Sequence, residues 1–350
     1  MGSNKFGLER HEPGGASDGT IAEFHALMAA DSLERRPLDP PTPVEVFTAA
    51  ARNFPEFIDA TMFLARDQSG APAGFAMITH RRTANDPHLA DTQLWANPEY
   101  RRQGLAAALL EGVCDEADKK DFRTLSTTTT EGVGWGQDLC EALGAKPTHE
   151  RRTWRLPVEG LDRDQIRIIT SQAADRARGY ELIDVESPLP DELLDEAVEL
   201  LQFLSTEPIG DASTEGSHIT TETFRQLERA WGAMGMGRMW QFARHEDSGS
   251  LAGVLDAVWN PAISTAVAQD QAVVRPEFRG RSLGLWMKGC MIDKVLDAWP
   301  SASEIRTSTV FPNPAMDSVD ERLGFVPYLR TSVWNCEVAA VREWLRSSTH

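Results

Sequence analysis

Ala96-Asn-Pro-Glu-Tyr-Arg-Arg-Gln-Gly-Leu-Ala106 recurs farther along the chain as Val274-Arg-Pro-Glu-Phe-Arg-Gly-Arg-Ser-Leu-Gly284. In both stretches a Pro ends an extended run. An Arg then stands three residues before a small residue, another small residue follows two further on, and a helical pattern begins. Small residues let a backbone come close to a ligand, and free amides at a helix N-terminus attract an anion. A pyrophosphate at such a turn is held mainly by main-chain N–H groups, with Arg adding charge. One copy alone reads equally well as a plain strand-to-helix turn with an exposed basic pair. Two copies in matching context favour the phosphate reading.

The recurrence extends outward from this turn at a nearly constant offset. Phe63–Gly74 matches Gln241–Gly253, each a strand followed by a Gly-containing hairpin. Leu143-Gly-Ala145 matches Leu323-Gly-Phe325, and Trp154 matches Trp334. The period is far longer than that of a solenoid, so the chain holds two copies of one domain. Each copy starts with a short strand, near Lys5–Glu12 and near Tyr180–Val185, that leads into helices. Leu193, Leu194, Ala197, Leu200, Leu201 and Leu204 form a helical stripe within Pro190–Leu204. Two hairpin strands and a third strand ending at Pro98 or Pro276 follow. Next come the turn and an amphipathic helix, with Leu105, Ala108, Leu109 and Val113 apolar in copy one. In copy two the stripe is Leu283, Trp286, Met287, Cys290, Met291 and Val295. A strand (Thr124–Thr129; Ile305–Val310), a short helix and a closing strand complete each copy. The expected fold is α/β (α+β): two tandem domains, each a mixed, mostly antiparallel sheet flanked by helices. Residues 1–156 form the first domain and 180–350 the second. Residues 157–179 read as a linker, with Gln165–Thr170 as a stray strand.

Composition narrows the function. The net charge of −18 disfavours nucleic-acid binding. It suits cationic substrates and solubility alike. No apolar run is long enough for a membrane span. Met1–Glu12 lacks the apolar core of a secretory signal. Cys114, Cys140, Cys290 and Cys336 form no C-x-x-C pair, so neither a metal site nor a disulfide framework is expected, and a cytoplasmic protein is the natural reading. Gly232–Arg238 is not entered by a strand and is a connector rather than a nucleotide loop. Thr127–Thr130 reads as strand, and Trp154, Trp286 and Trp334 as core.

Arg101-x-x-Gly104-x-Ala106, set after a strand ending at Pro98, resembles the acyl-CoA pyrophosphate loop of the GNAT superfamily of N-acyltransferases. Arg279-x-x-Ser282-x-Gly284 resembles the same loop with Ser at the first Gly position. Asn313-x-x-Met316 followed by Glu321-Arg-Leu-Gly-Phe325 is similar to the end of that fold. The resemblance covers nearly the whole chain as two units, in the manner of mycothiol-synthase-like two-domain acetyltransferases.

The resemblance implies a site. Arg101, Arg102, Gln103, Gly104, Leu105 and Ala106 would hold the CoA pyrophosphate in copy one. Arg279, Gly280, Arg281, Ser282, Leu283 and Gly284 would do so in copy two, with Asn313 also at that site. Main-chain groups of Trp95 and Ala96, or of Val273 and Val274, would pair with pantetheine and present an N–H to the thioester carbonyl. An amine would attack directly, its proton leaving to a base or a water chain. Base candidates are Asp91, Asp270 and Asp256. Asp91 and Asp270 lie seven and six residues before their prolines, so their parity differs. The position of the family's thiolate-protonating Tyr is occupied here by Cys140 and Asp320, which leaves Tyr328 as the candidate acid. His80, His88, His218 and His245 read as loop or surface residues.

The expected activity is transfer of an acyl group, acetyl by default, from acyl-CoA to a small-molecule amine, with no metal. One half is expected to be degenerate. The resemblance places catalysis in the second half, with CoA binding open in both. Two other readings accompany it. An acyl carrier protein's phosphopantetheine thioester is an alternative donor, and a non-catalytic acyl-CoA-binding regulator is an alternative role.

Overall fold

In this computed structural model the described residues are 5–206 and 218–348. Along the chain these are β1 (Gly7–His11), α1 (Asp18–Arg35), α2 (Val44–Arg52), β2 (Ile58–Arg66), β3 (Pro72–Arg81) and β4 (Leu89–Ala96). Then come α3 (Leu105–Lys119), β5 (Thr124–Thr130), α4 (Gly134–Ala142), β6 (Lys146–Pro157), α5 (Arg163–Arg176), β7 (Tyr180–Glu186), α6 (Asp191–Thr206) and α7 (Thr221–Ala233). The remainder is β8 (Gly237–His245), β9 (Leu251–Trp259), β10 (Ala266–Gln269), β11 (Ala272–Val274), α8 (Leu283–Ala298), β12 (Glu304–Phe311), α9 (Pro314–Arg322), β13 (Val326–Glu337) and α10 (Val338–Ser348).

The chain divides into two units that are not its two contiguous halves. Unit 1 is Met1–His149 with Thr331–His350, and unit 2 is Glu150–Arg330. The reason is a reciprocal exchange of closing strands. Thr331–Glu337 of β13 pair antiparallel with Thr124–Thr130 of β5 in unit 1. Glu150–Pro157 of β6 pair antiparallel with Glu304–Phe311 of β12 in unit 2. The unit 1 sheet therefore runs β1-β2-β3-β4-β5-β13, and the unit 2 sheet runs β7-β8-β9-β10-β12-β6, with β11 also on β9. Each contains one parallel pair, β4 with β5 and β10 with β12. These are the mixed, mostly antiparallel sheets that the two-copy pattern predicts.

Each sheet buries both faces, as its strands' long apolar runs require. In unit 1, Phe63, Ala76, Ile78 and Leu125 pack under α3 and α10. Met62, Leu64, Phe75 and Trp95 pack against Phe24 of α1 on the other face. In unit 2, Val267, Leu255 and Ile305 face α8, while Trp240, Phe242 and Val254 face α6 and Phe224 of α7. The predicted α6 stripe is buried at Leu194, Ala197, Leu200 and Leu201. The Leu204 side chain lies outside the described residues.

Residues 163–176 within the expected linker form α5, so Gln165–Thr170 is helix and not a strand. Asp162 caps α5 by accepting from the Gln165 N–H at 2.9 Å. Ile166 and Ala173 then bury one face of that helix in the unit 2 core, where Ile169 also packs. Gly289 of α8 faces Thr170, and an added Cβ there would collide with the Thr170 hydroxyl. The glycine is what lets α5 and α8 come together.

Candidate active site

The two turns share one backbone path. After a Pro-initiated 3-10 turn, the chain enters the left-handed region twice, at Arg102 (φ 61°) and Gly104 (φ 92°) in unit 1. In unit 2 the matching residues are Gly280 (φ 77°) and Ser282 (φ 63°). Two positive-φ residues one apart, after an extended Arg101 or Arg279, turn successive N–H groups toward a concavity that suits an anion. α3 and α8 begin at the next residue, so their first amides lack intrahelical acceptors and add the positive end of the helix dipole. Each turn carries one glycine and one strained residue, a strain of roughly 1–2 kcal/mol. A Cβ on Gly104 would meet nothing within 4 Å, so the requirement there is conformational and the space before the turn is open.

Arg101 does not supply free charge to this concavity. Its Nε donates to the Ala96 carbonyl at 2.9 Å, and its terminal nitrogens grip Glu34 of α1 at 2.9 and 2.6 Å. Arg279 repeats the first contact, donating to the Val274 carbonyl at 3.0 Å. The motif arginine thus locks the turn to its own strand. Burial opposes the Glu34 charge, but hydrogen bonds from Arg101 and Trp95 outweigh it and hold the carboxyl below its usual range. Gln103 is turned back onto the Glu99 carbonyl at 2.7 Å. Arg102 is exposed and is the side chain left to face an anion. In unit 2, Arg281 donates to the Tyr180 hydroxyl.

Beyond the unit 1 turn the sheet opens. β4 and β5 pair only through Leu89–Asp91 with Thr124–Ser126. Past that point β4 follows β3 and β5 follows β13, so Trp95 and Ala96 stand beside a gap rather than a strand. The side chains of both are buried, as is that of Leu105, the first residue of α3. A cavity of about 370 Å³ occupies the gap.

One side of the cavity, toward α1, carries Asp31, Arg35, Thr79, Asp91 and Gln93. Asp91 is at the last parallel pair, opposite Ser126. Among the described residues no hydrogen bond or ion pair reaches its carboxylate. Asp91 is exposed to the cavity's solvent, while the protein packed around that cavity desolvates the carboxyl and pushes it up, against the pull of Arg81 and His80. Asp31 accepts from Arg35 at 2.5 Å and from Gln93 at 2.8 Å. Burial raises Asp31 as well, opposed by Arg35. Cys140, where a tyrosine was sought, lines the other side as a thiol that burial pushes up to about 12.

Unit 2 builds the same region differently. Strand register places Ala268 where unit 1 has Asp91: Asp91 pairs with Thr79 of β3, and Ala268 with Val258 of β9. Asp270 is an extra residue in the break between β10 and β11. Asp256 fastens that break by accepting from the N–H groups of Asp270 at 3.2 Å and Gln271 at 2.6 Å. Arg238 joins both carboxylates, at 2.7 Å from Asp256 and 3.0 Å from Asp270, and lies over the rings of Trp231 and Trp240. Burial pushes Asp256 up to about 7, with Arg238 opposing. These two aspartates are thus engaged in a structural cluster. The parity difference from Asp91 comes from the inserted residue.

The matching region of unit 2 carries buried polar side chains. Lys288 of α8 pairs with Asp320 of α9 and donates to Thr307 of β12 at 3.2 Å. Gln269 is 2% exposed, and its amide atoms have no partner among the described residues. Val273 and Val274 pair with β9. Leu283 is buried, and a Cβ on Gly284 would meet nothing within 4 Å. Asn313 caps α9, its side-chain oxygen accepting from the Met316 N–H at 3.3 Å. Tyr328 lies against the guanidinium groups of Arg306 and Arg155 in unit 2, not in the unit 1 cavity. His80 is not a loop or surface residue, since it stands on β3 and is buried against the Leu89 carbonyl, while His88 and His245 bond to loop atoms.

Sequence reasoning missed Asp31, Arg35 and Lys288. A signal existed, since Asp31 continues the Ile21, Phe24, Leu27 stripe and Lys288 adjoins the Met287, Met291 stripe. A charge on an apolar stripe marks a buried polar site. Among the described residues no group of His, Cys, Asp and Glu has metal-site geometry, and no helix is long and apolar enough to cross a membrane.

Residues 24–144 match the family model described as the acetyltransferase (GNAT) family. A tandem GNAT protein from the clavulanic acid biosynthesis pathway superposes with a TM-score of 0.76 at 22% identity, over 95% of this chain and 98% of that one. A GCN5-related N-acetyltransferase from Sphaerobacter thermophilus gives 0.68 at 13% identity, over 96% of each chain. Saccharomyces cerevisiae N-myristoyltransferase gives 0.57 at 11% identity, over 95% of this chain and 80% of that one. At these identities the likeness is one of fold. No curated protein matches the chain.

Proposed function

We propose, for a chain that carries a GNAT-family acetyltransferase domain at residues 24–144 within a tandem GNAT fold, that unit 1 is the catalytic unit of an acyl-CoA-dependent N-acyltransferase. The observation that carries this reading is the cavity in the β4–β5 gap, which includes the unpaired Asp91. The turn at the N-terminus of α3 stands at the end of the same strand. The pyrophosphate is held by the amides of Arg102–Ala106 and by the Arg102 charge. The pantetheine arm lies along the free edge of β4. The acceptor enters from the α1 side, where an uncompensated carboxylate favours a cationic amine.

Asp91 takes the proton of the attacking ammonium, directly or through water. The amine nitrogen then bonds to the thioester carbonyl carbon, and the C–S bond breaks. The nitrogen's second proton leaves to solvent or to the departing thiolate, which needs no strong acid because free thiols have a pKa near 8.5. Cys140 in the tyrosine position is consistent with a reaction that dispenses with that acid.

Unit 2 is the degenerate half in this reading. Ala268 replaces the base, and the Lys288–Asp320 pair stands where Leu110 and Cys140 border the unit 1 cavity. This reverses the expectation that the second half performs the chemistry.

Calorimetric titration with an acyl-CoA tests the reading. One site per chain is expected, lost in Gly104→Glu, where a carboxylate enters the anion site on a backbone that needs glycine. Gly284→Glu should keep that site. Two sites, or loss only in Gly284→Glu, would overturn the assignment to unit 1.

A further inference from the structure

The unit 1 cavity continues past the point where β4 and β5 close. Leu125 is in the closed part of the sheet, opposite Ala90 in parallel register and opposite Cys336 on its other side. Leu125 and Cys336 both line the cavity, together with Leu110 of α3, Leu143, Ala145 and Val341 of α10. Leu110, Leu125, Cys336 and Val341 are 4%, 5%, 7% and 1% exposed, so this end is a lobe within the core rather than a surface cleft. It carries no charged or amide side chain. Among the side chains named here the heteroatoms are the thiols of Cys336 and the adjoining Cys140, which burial pushes up to about 11 and about 12.

Such a lobe suits neither end of the reactants already placed. Pantetheine amides need hydrogen-bond partners, and the open edge of β4 supplies them. The acceptor ammonium needs a carboxylate, and the α1 side supplies it. A closed apolar cavity stays dry and takes hydrocarbon. In unit 2 the positions of Leu110 and Cys140 are charged, so the same lobe is not built there.

We propose that the transferred group is an acyl chain longer than acetyl, with its hydrocarbon tail seated in this lobe. The inference rests on unit 1 being the donor-binding unit. The bond changes are those already given, and no further reactant is needed.

The test is calorimetry of the full-length protein with CoA and with acetyl-, butyryl-, hexanoyl- and octanoyl-CoA. Each fully buried methylene contributes about 0.8 kcal/mol, about fourfold in Kd. Hexanoyl-CoA is expected to bind at least tenfold more tightly than acetyl-CoA, and Ala145→Phe to collapse that ratio to within twofold. The wild-type series is decisive even if the variant fails to fold. A common Kd across the series, or tightest binding of acetyl-CoA, overturns the lobe as acyl site and leaves the donor reading standing. No binding of CoA or of any thioester overturns both.

Discussion

Lys288 of α8 and Asp320 of α9 form an ion pair whose side chains are only 1% and 0% exposed. Burial pushes Lys288 down and Asp320 up, so each charge persists only because of the other. Removing one partner leaves an uncompensated buried charge, and Asp320→Ala should cost about 3–5 kcal/mol. The double change Lys288→Leu with Asp320→Cys installs the unit 1 residues. It should be neutral or stabilising by about 1–4 kcal/mol relative to the native pair. Urea denaturation of the three proteins checks this. A double variant no more stable than Asp320→Ala would mean that packing, not charge, is what was lost.

Asp256 gives unit 2 a pH dependence with a defined sign. Its carboxyl stands at about 7 in the folded protein against an ordinary 3.8, because burial outweighs the pull of Arg238. The folded state therefore holds that proton more tightly than the unfolded chain. The resulting stability is fully present below 3.8 and is lost as pH rises through about 7. Asp256→Asn keeps an acceptor for the Asp270 and Gln271 amides but removes the titration. Its unfolding free energy should fall less between pH 4 and 7.5 than that of the wild type. Equal slopes would place the titrating group elsewhere.

The repeat was legible because it is written in turns and glycines, whose backbone demands are local. Gly74 and Gly253 show this: a Cβ on either would press on the carbonyl of the neighbouring strand, Trp95 at 2.6 Å and Val273 at 3.1 Å. The strand exchange was not legible, because β6 and β13 have the same alternation whichever sheet they join. α5 was misread because Ile166 and Ala173 are its only buried residues, which weakens its period. At the site, Asp91 was legible as a strand carboxylate, but its freedom from partners was not. Asp256 and Asp270 read as further base candidates, and what engages them is Arg238, distant in sequence, which pairs with both.

The exchange of closing strands makes a prediction about fragments. Cys336, Val338 and Val341 belong to the unit 1 core, and Arg342 holds Asp115 at 2.7 Å and Asp118 at 2.5 Å across α3. A fragment of residues 1–156 lacks all four and leaves β5 as an unpaired edge. It should be unfolded or aggregated. Thr148 donates to the Val333 carbonyl at 3.3 Å, so the two pieces of unit 1 meet at that point. Residues 1–149 joined by a short Gly/Ser linker to 331–348 should therefore fold. Circular dichroism and gel filtration of the two proteins decide between exchanged and contiguous units.

Asp91 is the residue on which catalysis is most exposed to test. A carboxylate accepts the ammonium proton only when ionised, and desolvation in the cavity raises its pKa. The wild-type kcat/KM should therefore fall on the acid side, with a limb displaced above the usual carboxylate range. Asp91→Asn has nearly the same shape but no basic oxygen. Its kcat should drop by about 10²–10⁴, the usual contribution of a positioned base. Its remaining activity should lack that limb. Acyl-CoA affinity should stay within about twofold, because the turn and the β4 edge are untouched. A variant that loses donor binding along with turnover would make Asp91 a binding group. A variant that retains full turnover would move the base to Asp31 or to solvent.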